Sequence, residues 1–115
     1  MGPRLGHAEI QIAGARIMLA DEFPDYFFLS PSTIGGTPVS FLIYVPEIDA
    51  FAERAIAAGA QVLAPVADQF YGDRTCKLKD PEGHVWSFAT RVEEISPEEA
   101  QKRFEKLCGS EETEA

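Results

Sequence analysis

Cysteine is scarce. The chain has two, Cys76 and Cys108, in 115 residues. They form no Cys-x-x-Cys pair and are too few for a disulfide framework, which suits a reducing cytoplasm. Cys76 stands in a strand-like run and reads as a small core residue, and Cys108 near the C-terminus as an exposed thiol. No apolar run approaches the roughly 18 residues of a membrane span. The opening Met1-Gly2-Pro3-Arg4-Leu5 has no hydrophobic signal region, and Gly6 stands where a myristoylation signal needs Ser or Thr. Positive charge is also short: 10 Lys and Arg against 19 Asp and Glu, a net charge of -9 and a pI of about 4.6. Nucleic acid needs a basic surface, so it is excluded as a partner, and an anionic membrane is disfavoured. A cationic ligand is permitted, although acidity first of all keeps a protein soluble. No Ser-His-Asp order, Cys-His pair, phosphate-binding glycine loop or nucleotide fingerprint occurs.

What is present is ordinary globular composition, 45% hydrophobic and 25% charged, with enough chain for one domain and one core. His7 to Ile12 alternates with period two, Ala13-Gly14 turns, and Arg16 to Ala20 returns, predicting a β-hairpin. Asp21 to Pro38 is irregular and rich in proline and glycine. It carries Phe23, Tyr26, Phe27 and Phe28, and so many aromatics predict a loop packed over the domain by default, or else over a pocket mouth or against a partner. Val39 to Val45 is β-prone. Pro46 suits the start of a helix, and Ile48, Phe51, Ala52, Ala55 and Ile56 form its apolar stripe up to a stop at Gly59. Gln61 to Val66 is the next strand, so a βαβ crossover is expected. After a loop from Ala67 to Asp73, Arg74 to Lys79 alternates, Asp80-Pro81-Glu82-Gly83 makes a type I turn, and His84 to Thr90 returns. In the returning strand Trp86 and Phe88 share the helix-facing side. Ser96-Pro97-Glu98-Glu99 is a capping box for a helix ending at Gly109. The resulting expectation is an α+β domain over 1–95, a C-terminal helix over 96–109 and an acidic tail over 110–115.

From His7 to Glu99 the chain resembles the vicinal oxygen chelate superfamily of glyoxalases, bleomycin-resistance proteins and dioxygenases, and is most similar to its PhnB-like, glyoxalase-like branch. The residues that carry the likeness are His7-Ala8-Glu9-Ile10, Ile17 to Glu22, Tyr44-Val45, Ala58-Gly59-Ala60, Asp68-Gln69-Phe70-Tyr71-Gly72-Asp73-Arg74 and Asp80 to Trp86. The resemblance implies two βαβββ modules whose curled sheets enclose a cup for a small molecule beside a divalent metal. Here it implies one complete module, Val39 to Thr90, plus an N-terminal hairpin without its preceding strand-helix-strand. A curled mixed sheet of that kind is expected to be completed by a homodimer, with exchanged segments as one route. It also places Ser40, Met18 and Ser87 where relatives carry metal-binding His or Glu. A serine hydroxyl is a poor ligand without imidazole, carboxylate or thiolate company, so no metal and no cofactor are expected.

The expected ligand-binding residues are Glu9, Met18, Ser40, Tyr44, Phe70, Tyr71, Arg74 and Ser87. Glu9 offers a carboxylate if its strand face lines the cup, and otherwise a solvated surface charge. Tyr44 and Tyr71 offer hydroxyls or amphipathic packing. Arg74 offers a clamp for an anion, or an ion pair with a neighbour such as Asp73. His7 and His84 each start a strand beside glycine, where a surface role is usual. Three functions remain open. They are metal-free binding of a small cationic or aromatic molecule, a metal-dependent lyase, isomerase or dioxygenase, and a structural module. Resemblance in fold does not choose among them.

Overall fold

The computed structural model describes residues 4–114, with side chains described as far as Gly109. Strands β1 (Ala8–Ile12) and β2 (Ala15–Leu19) form an antiparallel hairpin with Ala8 opposite Leu19 and Ile12 opposite Ala15. Ala13 and Gly14 both have positive φ, 49° and 87°, the two-residue turn whose twist matches that of paired strands. A second sheet holds β3 (Ser40–Tyr44), β4 (Gln61–Asp68), β5 (Asp73–Lys79) and β6 (Val85–Arg91) in the order β3-β6-β5-β4. β3 runs parallel to β6 and the other neighbours are antiparallel. The chain is thus an α+β domain with one βαβββ unit, a leading hairpin and a trailing helix. β3 and β4 lie on opposite edges, so the connecting helix α2 (Ile48–Ala57) crosses the sheet between them. Pro65 sits in the irregular stretch of edge strand β4, between the register shifts at Ala64 and Ala67, where a missing N–H is tolerated.

The core forms where α2 meets the sheet. Ile48 and Ala52 pack with Val45, Cys76, Leu78 and Phe88, and Ile12 of the hairpin rests against the same cluster. The Phe51 and Phe88 rings lie 4.5 Å apart, and Trp86 stacks parallel to Phe88 at 6.1 Å, so both aromatics of β6 face the helix. Burial pushes the Cys76 thiol pKa up, as desolvation of a thiolate requires. The first turn of α2 is satisfied from the sheet: Thr90 Oγ1 accepts from Ile48 N at 3.1 Å and donates to Val45 O at 2.7 Å.

Several expectations are corrected. Pro46 lies outside α2, which begins at Ile48 with Glu47 as its cap position. Ile56 is exposed, because it lies beyond the part of the stripe that the sheet covers. The segment after β2 is not wholly irregular. It contains a 3-10 turn, Pro24–Tyr26, and a short helix, α1 (Pro31–Ile34), capped by Ser30. Three of its aromatics do not pack over the domain: Phe27 is 89% exposed, and Tyr26 and Phe28 are also exposed, whereas Phe23 is half-buried beneath the Arg4 guanidinium. The loop is instead held by polar contacts, with the Glu22 carboxylate accepting from Ser30 N at 2.9 Å and Thr33 Oγ1 at 2.7 Å. α1 clips onto the β5–β6 turn, where Ser32 Oγ donates to Glu82 O at 2.9 Å. A side chain on Gly83, with φ +95°, would press against Pro31 and Ser32. Cys108 is partly buried rather than exposed.

The last helix, α3 (Pro97–Glu114), does not stop at Gly109. The segment expected as an acidic tail therefore begins inside the helix, and Ala115 lies outside the described residues. Glycine costs only about 1 kcal/mol in a helix interior, so one such residue need not end it. α3 is fastened by Arg103, which reaches Glu93 at 2.7 Å and Phe70 O at 3.3 Å, and by Phe104 against Phe70 at 5.5 Å. The molecule is elongated, 56 × 33 × 25 Å with a radius of gyration of 17.8 Å, against about 13 Å for a compact chain near this length. Among the described residues no helix is long and apolar enough to cross a membrane.

Candidate functional site

α2 covers one face of the four-stranded sheet. Strand register determines what stands on the other, because paired residues share a face and successive residues alternate. Three rows of side chains result. Ser40, Val85, Lys79 and Gln61 form the first, Leu42, Ser87, Lys77 and Ala64 the second, and Tyr44, Ala89, Thr75 and Ala67 the third. Arg91 opposite Asp73 closes the end. The β3 side is apolar and open, with Leu42 57% and Tyr44 47% exposed. Hydroxyls of Ser40, Ser87, Thr75 and Tyr44 are spread across it.

The end of this face is rigidly wired. Asp73 is 3% exposed. One of its carboxylate oxygens accepts from the Tyr44 hydroxyl at 2.6 Å and the other from Arg91 Nε. Arg91 Nη2 also lies 3.5 Å from the Tyr44 oxygen. The Asp73 hydrogen bond, then that of Tyr44, holds the Arg91 guanidinium even more firmly protonated than usual. A buried carboxylate is retained when charge-assisted donors satisfy it, and here both oxygens are satisfied. The structure thus brings Ser40, Tyr44 and Ser87 to one face and adds Asp73 and Arg91, which the candidate set omitted.

The other candidates lie elsewhere. Arg74 is on the α2 side, paired with Asp49 of the helix at 3.0 Å and Asp68 of β4 at 3.0 Å. Its charge is thereby spent on tying α2 to the sheet. The Arg74 hydrogen bond holds the Asp49 carboxyl below its usual range. The alternative ion pair of Arg74 with Asp73 does not form, because adjacent residues point to opposite faces. Phe70 packs edge-on to Tyr71 at 5.1 Å and against Phe104, a mooring for α3 rather than a pocket rim. Beside them a side chain on Gly72 would collide with the Glu93 carbonyl oxygen. Glu9 is on the hairpin, opposite Met18, with His7 at 3.1 Å and Arg16 at 3.4 Å. Met18 lines a separate open groove of about 860 Å³. Its other wall is the β5–β6 turn, with Glu82 and His84, and its floor includes Phe28 and Leu29.

These positions do not fit a divalent metal of the kind the resemblance implies. Ser40 and Ser87 offer neutral hydroxyls and Met18 a thioether on a different sheet, a set that lacks imidazole, carboxylate and thiolate. Among the described residues no three His, Cys, Asp or Glu side chains converge as a ligand group.

Comparison with known proteins agrees with this architecture. Residues 2–88 match the Glyoxalase/Bleomycin resistance protein/Dioxygenase superfamily, and the chain belongs to that family. An uncharacterised protein of Mycobacterium tuberculosis is 39% identical over 101 residues, covering 85% of this chain and 59% of the relative. An uncharacterised protein of Mycobacterium bovis is equally similar, with 66% of its length covered. The chain thus spans roughly three-fifths to two-thirds of these curated relatives. Among solved structures, TioX from Micromonospora sp. ML1 aligns with a TM-score of 0.56 and 26% identity, over 79% of this chain and 71% of TioX. The fosfomycin resistance protein FosX from Listeria monocytogenes aligns with a TM-score of 0.51 and 18% identity, over 82% of this chain and 77% of FosX. That second likeness shows a shared fold.

Proposed function

We propose that the chain binds a small organic molecule on the sheet face opposite α2, without a metal. The observation that supports this most directly is the open Leu42–Tyr44–Val85 surface, bordered by hydroxyls and ending in the bonded Tyr44–Asp73–Arg91 cluster. Apolar area with a few fixed polar groups is the usual composition of a ligand site. The Asp68 to Arg74 and Asp80 to Trp86 stretches support placement in the PhnB-like branch.

The second part of the reading is self-association. Ile10 and Leu19 of the hairpin, Met18 beside them and the aromatics of the following loop are exposed. The two-stranded hairpin sheet has both of its outer edges open, and such a sheet is marginal alone. A second copy that pairs with the hairpin would cover these residues and complete the curled sheet, leaving the Leu42 face as the lining of the cup.

The test uses the neutral fluorophore N-phenyl-1-naphthylamine, which brightens on entering an apolar site. Titration of the full chain is expected to saturate, and Leu42→Asp to abolish the signal. Leu63→Asp, on edge strand β4, is expected to retain it. Equal brightening of wild type and Leu42→Asp would reject the face as the binding surface.

A further inference from the structure

The binding face differs in charge from the rest of the molecule, and this bears on the class of ligand. The chain carries -9 overall. Yet along the rows of side chains opposite α2 stand Lys77, Lys79 and Arg91, against a single carboxylate, Asp73. That carboxylate is already matched on both oxygens by Tyr44 and Arg91. The nearby Asp68 belongs to the opposite face, where Arg74 holds it. Neither Lys77 nor Lys79 forms an ion pair among the described residues, and both are exposed. Lys77 stands beside Ser87 in its row, with Thr75 two residues away on the same strand face. An ammonium with two neighbouring hydroxyls is a donor-rich corner for an oxyanion. Leu42 stands next beyond Ser87, across β6 on β3.

Resting on the reading of this face as the ligand surface, we propose that its ligand is a small amphipathic anion. Its carboxylate, sulfonate or phosphonate end meets Lys77 with Ser87 and Thr75, and its apolar or aromatic end lies over Leu42 and Val85. Lys79, at one end of the face, adds to the positive potential, whereas the Arg91 charge at the other end is matched by Asp73 and Glu94. A cationic ligand, which the overall charge alone would suggest, would meet the two unpaired ammonium groups of Lys77 and Lys79 here and no unpaired carboxylate.

The test is competition against bound N-phenyl-1-naphthylamine by two molecules of matched shape and opposite charge, sodium 2-naphthoate and 2-naphthylmethylammonium chloride. Naphthoate is expected to displace the probe at lower concentration than the ammonium compound, with an advantage that shrinks as salt is raised. Lys77→Gln is expected to weaken naphthoate about ten-fold, the loss typical of one charged hydrogen bond, while leaving the neutral probe unchanged. Lys77→Arg is expected to restore most of it. Displacement by the cation at equal or lower concentration, or an unchanged naphthoate affinity in Lys77→Gln, would overturn the anion assignment and leave the binding face standing. Absence of probe binding at Leu42 would remove the face itself, and this assignment with it.

Discussion

The Tyr44 hydroxyl donates a 2.6 Å hydrogen bond to Oδ2 of the buried Asp73, reaching from edge strand β3 past β6 to β5. One phenol thereby cross-links three strands and fixes the end of the proposed binding face. Tyr44→Phe removes the donor and leaves a buried carboxylate oxygen short of a partner. The expected cost is about 1–3 kcal/mol of unfolding free energy, measured by urea denaturation at neutral pH with an unchanged m-value. The aromatic ring is retained, so lost packing cannot account for the change.

Acid stability is governed in part by Glu22. The Ser30 backbone hydrogen bond, then that of Thr33, holds its carboxyl below the ordinary value of 4.5. Asp49 and Glu93 are lowered similarly, by Arg74 and Arg103. A carboxylate whose pKa is depressed by folding stabilises the native state above its unfolded pKa, and that contribution is lost as pH falls through the folded value. Melting temperature is expected to fall as pH drops from about 4.5, and Glu22→Gln is expected to flatten part of that slope. Parallel acid profiles for the two proteins would show that Glu22 takes no share in it.

Gly72 and Gly6 form a matched pair of tests. Gly72 has φ +98° and no space for a side chain beside Glu93, whereas nothing lies within 4 Å of a side chain at Gly6. Gly72→Ala is expected to cost about 2 kcal/mol or more through strain and displacement of the segment leading to α3. Gly6→Ala is expected to leave thermal stability nearly unchanged.

Gly109 reports where α3 ends. Within a helix, Ala in its place is expected to stabilise by up to about 1 kcal/mol and raise helicity by circular dichroism. A left-handed stop would instead make Gly109→Ala destabilising.

The metal-free account predicts that dialysis against EDTA leaves melting temperature and probe affinity unchanged. Added Zn²⁺ or Ni²⁺ should shift neither, whereas a native-state ligand would raise the melting temperature. Sedimentation at micromolar concentration is expected to give a dimer, and Ile10→Glu to shift it toward monomer.

Much of the fold was legible because short-range periodicity survives in sequence. The alternation in β5 and β6 and the Ile48–Ala52–Ala55 stripe of α2 each correspond to a face that the structure buries, whereas the β1 alternation yields a paired strand whose Ile10 stays exposed. What depends on distant partners was not. Phe27 and Phe28 looked like packing residues, yet their loop is held by Glu22 and Ser32 through polar contacts. Arg74 reads from sequence as a ligand clamp or an ion-pair partner, and the partner that occupies it, Asp49, comes from the helix 25 residues away. Arg91 was passed over because its partner is 18 residues away. A signal for it existed. The Asp80–Gly83 turn pairs Lys79 with Val85, and following that register back along both strands sets Asp73 opposite Arg91. Arg91 also continues the Val85, Ser87 and Ala89 alternation by one more step. Hydrogen-bond register, rather than composition, carries the site.

The most direct test of the account is to follow the backbone amide resonances of the ¹⁵N-labelled chain while saturating it with N-phenyl-1-naphthylamine. The account predicts shifts concentrated at Ser40, Leu42, Tyr44, Ser87 and Ala89, with α2 residues such as Ala52 and Ala55 unmoved. Shifts confined to the Met18–His84 groove or to the α2 side would contradict it.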